Sequence, residues 1–183
     1  HILMSLKKDT GRCAILFPHG VLFRNEESSM REKLVSSDLL ECIIGLGPNL
    51  FYNSPMEACI IICRTNKRPE RRGQVLFINA VNEVTRKNAQ SFLEDMHIQK
   101  IASAYEKYEN IPDFAKVVTI KDIEDNNFSL SIPLYINTSD HDTEVDERSL
   151  QELYESWRTH SEMMKLRYTK LNSMISEGGN DIE

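Results

Sequence analysis

Residues 49–67, NLFYNSPMEACIIICRTNK, pass from a polar loop broken by Pro55 into a nearly continuous apolar run. The run MEACIIICRT predicts a β-strand that is covered on both faces of its sheet. Phe51 and Tyr52 stand together in the loop before this strand. Two adjacent aromatic residues at such a position either close the edge of the sheet or offer a flat apolar surface to a ligand.

Three further apolar runs surround this strand: RCAILFPHGVLF (residues 12–23), LLECIIGLG (39–47) and RGQVLFINA (72–80). The first closes at Pro18 and Gly20, which predicts a strand followed by a turn. Residues 27–38 predict a helix with Met30, Leu34 and Val35 on one side, and residues 88–108 are also helical in pattern. Residues 111–136 predict short strands and turns. Strands alternating with helices indicate a layered α/β sheet, and the short connections between its later strands predict a partly antiparallel one.

The two ends of the chain differ in character. HILMSLKKDTGR predicts the last turns of an amphipathic helix that ends at Gly11, and a helix without a cap at residue 1 suggests a chain cut from a longer one. Residues 137–147, NTSDHDTEVDE, predict a solvated acidic linker. After it, apolar residues at spacings of three and four predict a helix of about seven turns with an apolar seam. The seam consists of Leu150, Leu153, Trp157, Met164, Tyr168, Leu171 and Ile175.

Composition excludes several classes of protein. The chain has 183 residues, 40% hydrophobic and 27% charged, with a net charge of −6. This is typical of a globular protein of one domain, and no apolar run reaches the roughly 20 residues of a membrane-spanning helix. The first residues lack a secretory signal, so we expect a cytoplasmic protein without a membrane role. The four cysteines lie in apolar runs without a zinc-binding spacing, which predicts reduced core residues and no metal.

A basic cluster lies in the loop between the third and fourth predicted strands, RTNKRPERRG. Its cations could neutralise DNA phosphates, or the segment could be an ordinary solvated hairpin loop. His19 follows Pro18, but the sequence shows no partner for acid–base chemistry at a recognisable spacing. The candidate DNA-backbone residues are Arg64, Lys67, Arg68, Arg71 and Arg72.

Four segments together resemble a known family: GRCAILFPHGVLFR, MREKLVSSDLLECIIGLGPNLFYN, GQVLFINA and NNFSLSIPLYI. In this order they resemble the C-terminal half of the modification subunit of type I restriction enzymes, the N6-adenine DNA methyltransferases. The resemblance implies the C-terminal portion of a Rossmann-like sheet, followed by a long C-terminal helix. It divides the chain into a methyltransferase part truncated at its N-terminus (residues 1–137), an acidic linker (138–148) and a helical tail for subunit assembly (149–183).

The resemblance also implies chemistry and partners. The full-length enzyme would transfer a methyl group from S-adenosylmethionine to adenine in DNA and assemble with the specificity and restriction subunits. The family's glycine-rich cofactor loop and Asn-Pro-Pro-aromatic motif are absent from this sequence, whose six prolines are all unpaired. We therefore expect no catalytic residue in this chain and little activity from it alone. The resemblance implies subunit docking through Leu150, Leu153, Trp157, Met164 and Leu171.

The same resemblance implies a role for the aromatic loop. A base to be methylated leaves the DNA stack and needs an apolar face, which the family provides from the loop before this strand. Phe51 matches that position and Tyr52 is the neighbouring alternative, both as base-stacking residues. The family usually continues with a Thr-Gly-Ile-Pro-like stretch where this chain has SPMEA.

A second reading remains open. The sheet and the tail could form a non-catalytic assembly module built on a small α/β domain, because the apolar seam needs a partner in either case. That seam could also pack on its own domain. A self-contained small enzyme is disfavoured, since GxGxxG, GxxxxGK[ST] and GxSxG are all absent.

Overall fold

A computed structural model describes residues 1–52, 54–88, 90–136, 154, 155, 158 and 161–163. The chain divides into two units, His1–Ser139 and Asp140–Glu183. The described residues of the second unit are helical, and Arg158 Nε lies 3.9 Å from Glu162 Oε1 one turn later. The predicted acidic linker and all seven residues of the predicted seam lie outside the described residues. Within the described part, every helix is too short or too polar to span a bilayer.

The first unit is built on a five-stranded mixed sheet with a separate two-stranded hairpin. The strands are β1 (Arg12–Pro18), β2 (Leu40–Leu46), β3 (Ala58–Arg64), β4 (Gln74–Ala80), β5 (Thr85–Lys87), β6 (Gln90–Phe92) and β7 (Ala115–Thr119). The sheet has the order β1-β3-β2-β4-β7, and β5 pairs with β6. All four strands predicted from apolar runs are present.

The strand directions confirm the mixed sheet and correct one detail of it. β3 is antiparallel to both β1 and β2, and β7 is antiparallel to β4, whereas β2 and β4 are parallel. β4 therefore does not pair with β3, although a short loop connects them. The connection passes the start of β2 and places β4 on the far side of that strand. As a result β1, β2 and β4 run in one direction and end at the same edge of the sheet.

Helices cover both faces of the sheet. They are α1 (Ser28–Ser36), α2 (Asp95–Lys107) and α3 (Ile120–Asp125). Leu34 of α1 and Ile123 of α3 pack with Ile43 of β2 on one face. Ala104 of α2 packs with Ile44 of β2 on the other. Alternate residues of one strand thus enter two cores, and all seven residues of β2 are buried.

The sequence predicted that β3 is covered on both faces, but the strand that is buried on both faces is β2. Ile61 and Cys63 of β3 are buried, but Ile60 and Ile62 are only half-buried on the opposite face. β1 alternates between exposed and half-buried residues. Burial raises the pKa of the Cys63 thiol to about 12. The predicted core cysteines Cys42, Cys59 and Cys63 are buried free thiols, and Cys13 is half-buried.

Three local predictions were wrong. The first residues form only a short 3-10 turn, Leu3–Ser5. The helix predicted from residue 88 begins at Asp95, because β5 and β6 form a hairpin first and a capping box of Glu94 and His97 then starts the helix. The segment after β7 contains α3, which we predicted as strands and turns. Its start is a capping box in which the Thr119 hydroxyl accepts a hydrogen bond from the Asp122 backbone N–H.

Candidate functional site

The aromatic loop follows β2 and is held in place by its backbone. Asn49 adopts a left-handed conformation with φ of 61°, and its carbonyl accepts a hydrogen bond of 2.9 Å from the Ser91 N–H. The Ser54 N–H donates to the Phe51 carbonyl at 3.1 Å and closes a tight turn. Phe51 is 39% exposed and Tyr52 is 91% exposed. The loop therefore anchors Phe51 and leaves Tyr52 in solvent.

Phe51 borders a small apolar cavity of about 180 Å³. The cavity lies at the edge where β1 ends and β3 begins, next to the end of β2. Ligands in open α/β sheets bind outside the carboxyl ends of parallel strands, and this is such an edge. The cavity is lined by Leu16, Phe17, Pro18, Phe51, Ser54, Met56, Glu57 and Ala58.

His19 has a carboxylate partner that its sequence position does not reveal. Its Nδ1 lies 3.0 Å from Glu57 Oε2, and its backbone N–H donates to the Glu57 carbonyl at 3.1 Å. The β1–β3 pairing reaches Pro18 and Ala58, so the next residue on each side also meets its counterpart. Because the two residues are 38 positions apart, only the strand register could have found the pair.

Two residues of the basic cluster are buried and paired. Lys67 Nζ lies 2.6 Å from Asp38 Oδ1 and donates to the Gln74 carbonyl at 2.8 Å. Arg71 lies 3.4 Å from Glu41 and donates to the Glu106 carbonyl at 2.8 Å. Both contacts fasten the β3–β4 loop to the body of the domain.

The other three cations of the cluster are more accessible. Arg64 is half-buried, and its guanidinium lies 3.7 Å from Glu41 Oε1. Arg72 donates to the Lys67 carbonyl at 3.4 Å and to Asn66 Oδ1 at 3.3 Å. Arg68 is exposed. Solvent thus reaches only part of the predicted basic cluster.

Glu41 is the centre of a buried polar network. Its carboxylate accepts a hydrogen bond of 2.7 Å from the Tyr105 hydroxyl, besides the two arginine contacts. The Tyr108 ring lies under the Arg71 guanidinium at 4.4 Å, a cation–π contact. Burial, followed by the hydrogen bond to Glu41, raises the pKa of Tyr105 to about 12. Burial also raises the pKa of Tyr108 above its ordinary value.

The structure does not bring the two predicted DNA-contact sets together. Phe51 lies beyond Ala58, at the first end of β3, and the basic cluster begins at Arg64, at the other end. A strand of seven residues extends about 20 Å at about 3.3 Å per residue. The predicted docking residues Leu150, Leu153, Trp157, Met164 and Leu171 lie outside the described residues.

Gly45 and Gly47, at the end of β2, do not form a cradle for S-adenosylmethionine. Glycines near the strand ends would be the natural places for a close approach of a cofactor. A Cβ at Gly47 would collide with the Val81 carbonyl, and one at Gly45 would lie 2.6 Å from Ile132 Cδ1. These two glycines accommodate the chain's own packing and leave no open backbone for this cofactor.

Comparisons with known proteins identify the family. Residues 1–144 match the family model described as N-6 DNA Methylase. The type I restriction enzyme MjaVIII methylase subunit of Methanocaldococcus jannaschii is 37% identical over 159 residues, which is 84% of this chain and 27% of that protein. The MpnII methylase subunit of Mycoplasma pneumoniae is 26% identical over 147 residues, 80% of this chain and 26% of that protein. The chain thus spans about a quarter of the length of these relatives.

A solved structure agrees with the sequence comparisons. The methyltransferase subunit of a type I restriction-modification system from Streptococcus thermophilus has a TM-score of 0.68 and 37% sequence identity. The match covers 74% of this chain and 28% of that one. Sheet, helices and sequence therefore agree, and the chain belongs to the N-6 DNA methylase family, among the type I restriction enzyme methylase subunits.

Proposed function

We propose that this chain is part of a site-specific DNA adenine N6-methyltransferase of a type I restriction-modification system. Membership of the N-6 DNA methylase family is the observation that carries the proposal. The whole enzyme transfers a methyl group from S-adenosylmethionine to an adenine amino group. This chain contributes an edge of the target-base pocket, DNA contacts and subunit docking to that activity.

Phe51 is the residue of this chain that stacks on the extruded base. A base outside the duplex needs an apolar face, and stacking on an aromatic side chain contributes about 1–3 kcal/mol. Phe51 lines the cavity together with Pro18 and Met56, and with 39% of the residue exposed its ring stays accessible to a base. Tyr52 lacks such support because 91% of it is exposed. These observations favour Phe51 over its neighbour.

Other parts of this chain contact the DNA backbone and the partner subunits. Arg68 and Arg72 are exposed and suit phosphate contacts, with Arg64 at the start of the same loop. Lys67 and Arg71 act by fixing the loop through Asp38 and Glu41. The seam of the C-terminal tail is proposed to dock on the specificity subunit, in an assembly that includes the restriction subunit.

The proposal is tested in the full-length methylase subunit assembled with its specificity subunit. Phe51→Ala should lower kcat/KM for methylation by the stacking energy, about 1–3 kcal/mol, and leave S-adenosylmethionine affinity unchanged. Tyr52→Ala is the matched control and should stay within about twofold of wild type. Fluorescence of 2-aminopurine at the target position reports whether the base is still extruded. Wild-type kinetics for Phe51→Ala would contradict the proposal, and a defect in Tyr52→Ala alone would transfer the role to Tyr52.

A further inference from the structure

A polar groove lies at the edge of the sheet opposite the aromatic loop. We call it the arginine groove, and its volume is about 450 Å³. One wall comes from the turn before β1 and the other from the end of β3. The lining residues are Asp9, Thr10, Arg12, Arg64 and Asn66.

The strand register places two arginine residues directly opposite each other. Arg12 of β1 pairs with Arg64 of β3. The Thr65 N–H donates to the Gly11 carbonyl at 3.0 Å, so the preceding pair of residues is a hydrogen-bonded one. Pairs alternate along an antiparallel ladder, which makes Arg12 and Arg64 a non-hydrogen-bonded pair with Cα atoms about 4.5 Å apart. Like charges at such a position destabilise the strand pair unless an anion lies between them.

The protein supplies little negative charge to this pair. The Arg64 guanidinium lies 3.7 Å from Glu41 Oε1, but Arg71 and Tyr105 share that buried carboxylate. Arg12 forms no ion pair with another residue in the described part of the chain. Asp9 is the one carboxylate among the groove's lining residues. Two cations therefore share the groove with one carboxylate.

Both walls of the groove are fixed before any ligand arrives. The Thr65 hydroxyl accepts from the Gly11 N–H at 3.0 Å and donates to the Lys7 carbonyl at 2.9 Å, which fastens the turn to β3. On the other wall, the Arg72 guanidinium donates to Asn66 Oδ1 at 3.3 Å. The backbone around Arg12 and Arg64 is therefore held in place, which lowers the cost of ordering this segment when an anion binds.

We propose that the arginine groove binds a phosphate group, with Arg12 and Arg64 as its guanidinium ligands and Thr10 as a hydroxyl donor. Planar guanidinium groups match phosphate oxygens with paired hydrogen bonds. The residues of the groove are sufficient to support the proposal of phosphate binding. That the phosphate belongs to a nucleic-acid backbone rests on the proposed function. About 20 Å of β3 separates the groove from Phe51, so the two sites act independently.

The test uses the whole 183-residue chain and two probes, a fluorescent DNA duplex and inorganic pyrophosphate. Arg12→Gln and Arg64→Gln should each weaken binding at least tenfold, and each should lower the salt dependence of duplex binding by about one released counterion. The control is Arg86→Gln on β5, an exposed arginine with no place in the groove. Its affinities should stay within twofold of wild type.

Thermal melting gives a second measurement, which distinguishes a loss of anion binding from a loss of folded structure. Pyrophosphate should raise the melting temperature of the wild type and of Arg86→Gln but not of Arg12→Gln. Without an anion, Arg12→Gln should melt at or above the wild-type temperature, because one of two opposed charges is gone. Binding of both probes through Arg12 identifies a nucleic-acid phosphate, and binding of pyrophosphate alone identifies a free phosphate ligand. If Arg12→Gln changes neither affinity, or neither probe binds, the proposal is overturned.

Discussion

Glu41 shows how one buried charge connects three parts of the fold. It interrupts the apolar run of β2, and the pairing of β2 with β3 shifts register between Leu40 and Cys42. Such an irregularity is typical of a β-bulge, which re-aims a side chain. The redirected carboxylate meets Arg71 of the β3–β4 loop and Tyr105 of α2. The sequence shows a glutamate in an apolar run, but not its partners, because they lie 30 and 64 residues away.

Removing this charge should be costly. Glu41→Gln leaves the buried Arg71 guanidinium without its carboxylate, and breaking one side of a buried ion pair costs about 3–5 kcal/mol. We therefore expect the free energy of unfolding to fall by about 3 kcal/mol in denaturant titrations. Glu109→Gln, at an exposed position just after α2, is the charge-matched control and should be nearly neutral. A loss below about 1 kcal/mol for Glu41→Gln would show that the buried Arg71 guanidinium does not depend on this carboxylate.

The loop after β2 depends on a close approach between two backbones. A Cβ at Gly47 would collide with the Val81 carbonyl oxygen, which cannot move without β4. A Cβ at Gly45 would meet only Ile132 Cδ1, the far end of a flexible side chain, at 2.6 Å. Gly45 and Gly47 lie only two residues apart, so Gly45→Ala can serve as the control for Gly47→Ala.

Gly47→Ala should consequently displace the aromatic loop. We expect a loss of about 1–3 kcal/mol in stability, the usual range for overpacking, and perturbed NMR shifts at Phe51. Gly45→Ala should cost less and leave the Phe51 shifts unchanged, because Ile132 can change rotamer. Equal effects of the two substitutions would mean that the Val81 contact does not position the loop.

Sequence patterns identified elements where local chemistry decides them. The apolar runs located β1 to β4, and Met30, Leu34 and Val35 located α1. The start of α3 was also encoded, by Thr119 and Asp122, but we read that segment as strands and turns. These patterns could not predict the strand order, because β4 pairs with β2 and not with β3, its neighbour in sequence. The pairing of His19 with Glu57 was equally hidden, because it depends on the register between β1 and β3.

The C-terminal tail carries a prediction from its sequence. The predicted seam includes Leu153 and Trp157, and large aromatic anchors dominate interface energies. The double variant Leu153→Ala, Trp157→Ala should weaken assembly with the specificity subunit at least about tenfold, which is about 1.4 kcal/mol. Circular dichroism should show an intact fold. Unchanged affinity in a folded variant would indicate that the seam packs within its own protein.

At the scale of the whole molecule, the two candidate contact regions lie at opposite edges of one sheet. The aromatic loop follows the ends of the parallel strands, and the arginine groove lies where β1 begins and β3 ends. The chain carries a net charge of −6, so its basic groups act locally and not through an overall attraction to DNA. The family resemblance identified the first edge, whereas the cross-strand arginine pair became visible only with the register of β1 and β3.

Cofactor binding is the sharpest prediction at this scale. S-adenosylmethionine needs backbone donors near glycines and polar contacts to its ribose, and this sequence lacks the GxGxxG pattern that supplies such donors. Gly45 and Gly47 face Ile132 and Val81, so they leave no open backbone for a ligand. We expect the chain alone to methylate no DNA and to show no saturable S-adenosylmethionine binding in the micromolar range by isothermal titration. A full-length relative under the same conditions is the positive control. A micromolar dissociation constant for this chain would contradict the prediction and would reveal a cofactor site built from its own residues.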